Sequence, residues 1–86
     1  MNTTTIDLSV RLFAEARDRA GEDVIAVRLE PPATVGALRR RLAERYPQLE
    51  PLLPYAMFAV SHDYVSDEHP LTSEAEIALI LPVSGG

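Results

Sequence analysis

The sequence has room for one long amphipathic helix, and that limits the folds open to it. Val35, Leu38, Leu42 and Tyr46 recur three or four residues apart and fall on one helix face. Thr34 stands just before them, where its hydroxyl can accept from an N–H of the first turn and contribute about 1 kcal/mol. Prolines bracket the segment: Pro31-Pro32 precede it, and Pro47 stops the helix at or near Tyr46. Leu49, Leu52 and Leu53 follow among three prolines and are expected to plug the end of the core without regular structure.

On either side of this helix the sequence alternates. From Ile6 to Phe13, Ile6, Leu8, Val10 and Leu12 fall on one side and Asp7, Ser9 and Arg11 on the other, the signature of a strand with one buried face. Ala14 to Ala20 is rich in helix formers and predicts one or two helical turns, with Gly21 as a left-handed stop. Ile25, Val27 and Leu29 alternate again, in a second strand that pairs most simply with the first as an antiparallel hairpin. Tyr55 to Val60 reads as a third strand, Ser61-His62-Asp63 as a turn and Tyr64-Val65 as a short fourth strand. A polar connection from Ser66 to Glu76, anchored at Leu71, leads to the last strand, Ile77 to Leu81, which Pro82 ends. One helix crossing one face of a mixed sheet of four to five strands accounts for this order. The fold class is α+β and the arrangement is a β-grasp. The 86 residues suffice for a single domain, expected over 1–81, with a flexible tail at 82–86.

Composition excludes several kinds of chemistry. Without cysteine there is no disulfide scaffold, thiolate metal site or cysteine nucleophile. A net charge of −5 argues against nucleic acid as the main partner. Arg39, Arg40, Arg41 and Arg45 cluster on the predicted helix, as a solvated face or as a docking patch for an acidic partner. Residues 1–5 lack the basic and apolar regions of a signal peptide, and no apolar run approaches a membrane span, so a cytoplasmic protein is expected. His62 and His69 lie in predicted loops near Asp63, Asp67 and Glu68, but without a recognised ligand spacing, and no metal is expected. Ser61 and Ser84 have no suggested triad partners, and the four glycines form no phosphate-cradling motif. No independent active site and no bound cofactor are expected on the chain, and any ATP would be held by a partner.

Two features stand outside simple folding requirements. The last strand is apolar on both sides: Ile77, Leu79 and Leu81 point one way, Ala78 and Ile80 the other. With one helix to cover one sheet face, Ile80, and Phe13 on the non-core parity of its own strand, are either shielded by loops or part of a docking patch. The second feature is the closing Pro82-Val83-Ser84-Gly85-Gly86, whose five residues can reach about 16–18 Å. Two residues without side chains can thread a narrow channel and carry a terminal carboxylate into another protein's active site. A carboxylate is a poor acyl donor, but joining it to AMP supplies a leaving group that a sulfur nucleophile can displace. The product, a thiocarboxylate, carries an ionised nucleophilic sulfur. A lysine amine could take the same acyl group, so carrier and modifier remain alternatives.

These residues resemble the family of ubiquitin-like sulfur carriers that includes the small subunits of molybdopterin synthase. Leu12-Phe13-Ala14 with Arg17 and Gly21, Thr34-Val35 with Leu38, Phe58-Ala59-Val60, Tyr64-Val65, Pro70-Leu71, Ile77-Ala78-Leu79-Ile80 and Pro82-Val83-Ser84-Gly85-Gly86 follow in the family's order. Ser61 stands where the family usually has asparagine, Ala75-Glu76 where it commonly has Gly-Asp, and Leu81 where it often has the first of two prolines. The resemblance implies that a ubiquitin-activating-like enzyme adenylates Gly86 with ATP and that a sulfur donor protein converts it to the thiocarboxylate. The tail would enter the large synthase subunit, in a heterotetramer, and give its sulfur to cyclic pyranopterin monophosphate in molybdenum cofactor biosynthesis. Gly86 would carry the sulfur and Gly85 permit entry, while Phe13, Ile80, Pro82, Val83, Ser84 and, as a lesser candidate, Arg17 would meet the partner. A carrier for thiamin or another thiolated metabolite, and a ubiquitin-like protein modifier, would share the tail.

Overall fold

The alternating segments form the expected hairpin in the computed structural model, which describes residues 5–82. Strand β1 (Ile6–Leu12) runs antiparallel to β2 (Val24–Leu29), with Leu8 opposite Val27 and Val10 opposite Ile25. Helix α1 (Ala14–Ala20) lies between them and closes at Gly21, whose φ of 80° lets its N–H reach the Arg17 carbonyl at 2.8 Å. Strand β1 ends at Leu12, one residue short of the expected boundary. Phe13 instead takes the extended N-cap position of α1, and Ala14 follows with a left-handed φ of 51°.

Helix α2 (Val35–Arg45) is capped as the sequence predicts, the Thr34 hydroxyl accepting from Ala37 N at 3.2 Å. Two further donors of its first turn are satisfied by the 66–70 segment: Val35 N donates to the His69 carbonyl and Gly36 N to the Asp67 carbonyl. Val35, Leu38 and Leu42 are fully buried. The leucine-proline segment that follows is regular after all, a run of 3₁₀ turns over Pro47–Tyr55. Proline's fixed φ suits such turns, and Leu49 and Leu53 are carried into the core, where Leu49 is inaccessible to solvent.

Tyr55 thereby belongs to those turns, and β3 (Met57–Val60) starts later than expected. It pairs antiparallel with β4 (Asp63–Val65) through a two-residue turn at Ser61 and His62, both at positive φ, and with β5 (Ile77–Ile80). Strand β5 in turn lies parallel to β1, so the order is β2-β1-β5-β3-β4, the ubiquitin-like β-grasp. Among the described residues no helix is long and apolar enough to cross a membrane.

Arg39 joins the layers. From α2 its guanidinium donates to the carbonyls of Leu53 and Ala56 and to Asp67 at 2.7 Å, and it stacks over Phe58 with 5.1 Å to the ring centroid. The arginine cluster is thus not uniform. Arg39 is structural, Arg41 bonds the Arg28 carbonyl and Glu44, and Arg40 and Arg45 are exposed.

Candidate functional site

Because strand residues alternate, each strand that feeds the core also presents its other parity to the uncovered side. Leu8, Val10, Leu12, Ile25, Val27, Phe58, Ile77 and Leu79 are buried beneath the helices and turns. The opposite parity carries Phe13, Val24, Met57, Ala59, Tyr64, Ala78 and Ile80. The registers put several of these side by side: Met57 opposite Ile80, Ala59 opposite Ala78, and Tyr64 opposite Ala59. Phe13 and Val24 are each 46% exposed, Met57 44% and Tyr64 62%, too much for side chains serving the core. Ala59 is shielded, at 8%.

Most of these residues, though not Met57, line a groove across the open face. Phe13 and Ile80 both line it, as expected, together with Val24, Tyr64, Ala78 and Arg11. His62 and Glu76 stand at its margin, 3.9 Å apart. The apolar character is confined to one end of the sheet. Toward the start of β1 the same face carries Ser9 and the exposed pair Asp7–Arg28 at 2.8 Å, whose hydrogen bond holds the Arg28 guanidinium above its usual range.

The remaining predicted site residues divide into three groups. Arg17 is not brought to the groove. It sits on the outer side of α1 at 3.7 Å from Asp23, near Gly21, and both partners are more than half exposed. Pro82 is exposed, two residues beyond β5. Val83, Ser84, Gly85 and Gly86, and with them most of the expected 82–86 tail, lie outside the described residues. Sequence reasoning missed Val24, Met57, Tyr64 and Arg11 as members of the face. Parity was the available signal, but strand pairing was needed to show that these positions converge.

The local backbone explains how Phe13 reaches the groove. Leu12 is the last residue of β1 and Ala14 turns the chain into α1, so Phe13 keeps the open-face parity while the helix leaves toward the other side. Among the described residues no three His, Cys, Asp or Glu side chains converge as a metal site would require. What the groove offers is a largely apolar contact area with Arg11 within it.

Comparison with known proteins agrees with the topology. Residues 10–86 match the ThiS family. The molybdopterin synthase sulfur carrier subunit of Escherichia coli (strain K12) is 36% identical over 81 residues, covering 92% of this chain and 99% of that protein. The crystal structure of SAMP1 from Haloferax volcanii superposes with a TM-score of 0.80 at 25% identity, over 93% of this chain and 99% of that one. A chain from the protein–protein complex of subunits 1 and 2 of the molybdopterin-converting factor of Helicobacter pylori shares the fold, with a TM-score of 0.65 at 21% identity over 94% of this chain and 100% of that one.

Proposed function

The chain belongs to the ThiS family, and from that premise we propose that it is the sulfur carrier subunit of a molybdopterin synthase. The observation that carries this reading is the 36% identity, over nearly the full length of both chains, to the Escherichia coli sulfur carrier subunit. The open sheet face supports it, because its apolar groove lies on β5, the strand that leads through Pro82 toward Gly86. A protein that receives the tail would meet this face at the same time.

The chemistry is supplied largely by partners. The Gly86 carboxylate attacks the α-phosphorus of ATP within an adenylating enzyme and expels pyrophosphate. A persulfide on a donor protein then displaces AMP to give an acyl disulfide, and a thiol cleaves its S–S bond, becoming a disulfide with the donor and leaving the thiocarboxylate on Gly86. In the large subunit that sulfur forms a C–S bond to cyclic pyranopterin monophosphate as an oxygen substituent leaves the carbon attacked, and water cleaves the resulting acyl–sulfur bond to return the Gly86 carboxylate. The chain contributes the terminal sulfur and the surface that delivers it, and the synthase is active only as a heteromer. The Helicobacter pylori neighbour, solved as a complex of its two subunits, supports a large-subunit partner.

The intact mass of the untagged protein tests this reading, after incubation with the adenylating enzyme, ATP and a sulfur donor. Replacement of one oxygen by sulfur at Gly86 is expected, as is loss of synthase activity on deleting Gly85-Gly86 without loss of folding. An unchanged mass in a system shown to be active would reject it. Transfer of the sulfur to a thiamin precursor instead would keep the carrier chemistry and change the pathway. The likeness to SAMP1 favours a second reading, a ubiquitin-like modifier. It predicts isopeptide-linked adducts of Gly86 in extracts prepared to preserve them.

A further inference from the structure

All eight cationic side chains of this acidic chain are arginines, and most have partners. Arg17, Arg19, Arg28, Arg39 and Arg41 each lie within 4.0 Å of a carboxylate. Arg11, Arg40 and Arg45 have no such contact among the described residues. Arg40 and Arg45 are on α2, exposed to water, and need no explanation. Arg11 is placed differently. It stands mid-sheet on the open face of β1, in register with Val24 on one side and Ala78 on the other, and lines the groove with Phe13, Tyr64 and Ile80. Glu76 also lines that groove, 3.9 Å from His62 and more than 4.0 Å from the Arg11 guanidinium.

An arginine at this position constrains whatever covers the face. A purely apolar surface would strip water from the guanidinium and return nothing, a cost that exceeds what the surrounding apolar area contributes. The side chain offers a planar fork of N–H donors that matches a carboxylate or a phosphate in charge and shape, and of these the side chains of a protein surface supply the carboxylate.

Resting on the docking reading above, we propose that Arg11 is a specificity-determining residue of the open face. The surface seated on it belongs to a partner protein and presents one aspartate or glutamate to Arg11, flanked by apolar side chains over Phe13, Ile80 and Tyr64. The pair is desolvated once the face is covered, so it acts after contact, chiefly by slowing dissociation.

The test is the affinity for the cognate large synthase subunit, by calorimetry at fixed ionic strength with full-length chains. Arg11→Met keeps the aliphatic stem and removes the charge, and binding is expected to weaken roughly tenfold or more. Arg11→Glu is expected to weaken it by about a hundredfold or more, and Arg11→Lys by less than Arg11→Met. A charge-reversed partner, one Asp or Glu changed to Arg, should restore binding of Arg11→Glu. Thermal melts should be unchanged for all three variants, because the side chain is exposed.

Binding of Arg11→Met as tight as the wild type, or tighter, would overturn the inference. Ile80→Asp separates the two levels. If it abolishes binding while Arg11→Met does not, the docking face stands and the arginine is not read. If neither variant changes affinity, the docking face itself falls and the inference with it. Concentration-dependent self-association that Arg11→Glu abolishes would assign the face to a second copy of the chain, and likewise overturn it.

Discussion

The two faces of the sheet are built from the same strands and differ by one residue of phase. On the covered face Leu8, Val10, Leu12, Ile77 and Leu79 are each 2% exposed or less, held under α2 and the 3₁₀ turns. One residue along each strand, Phe13, Val24 and Tyr64 stand open to solvent around the half-buried Ile80. Both sets are apolar, so hydrophobicity alone does not distinguish them. What separates them is the supply of covering elements, since a chain with one long helix can bury one face only. The open face is therefore free to be selected for contact with other molecules, at little cost to folding.

That division can be broken most strongly from the covered side. Leu42→Ala, at a position with no solvent exposure, is expected to lose about 2–5 kcal/mol, read as a fall in the denaturant midpoint. Arg39→Met removes donors from the Leu53 and Ala56 carbonyls and loosens the Asp67 segment from α2, for a loss of about 1–3 kcal/mol. The Ser61-His62 turn works in the opposite direction. Both residues hold positive φ, 51° and 75°, which favours asparagine and glycine. Ser61→Asn combined with His62→Gly should raise stability by about 1 kcal/mol and sharpen the β3–β4 hairpin, seen as a higher melting temperature. The smallest effect belongs to the open face: Phe13→Ser should change stability by no more than about 0.5 kcal/mol. Its partner affinity should nonetheless fall, and a large loss of stability would show that Phe13 serves the core after all.

Much of this was legible in the sequence because it depends on local phase. The parity of β1, the Thr34 cap, the Gly21 stop and the pairing of the first two strands all follow from neighbours along the chain. The convergence of Phe13 with Ile80 was also within reach, since both have the non-core phase. The 3₁₀ run was not: three prolines remove donors, and only the docking of Leu49 and Leu53 shows that the turns persist. In the sequence Arg11 is merely a polar position on the outer side of β1. Its setting depends on Ala78, which arrives beside it through a parallel pairing that no local pattern encodes. Ser61 makes a related point. That the residue there holds a positive φ, which asparagine tolerates better than serine, shows only in the fold.

The parallel pairing of β1 with β5 also sets the order of events during synthesis. The sheet's centre joins the first and last of its strands, Val10 beside Ile77 and Leu12 beside Leu79. A nascent chain can form the β1–β2 hairpin and α2 early, but closing the core awaits the segment leading to Pro82. Such long-range closure is slow relative to local structure. A ribosome that stops before residue 77 thus releases a chain without its central strand, a substrate for proteases rather than a partner with a defective tail.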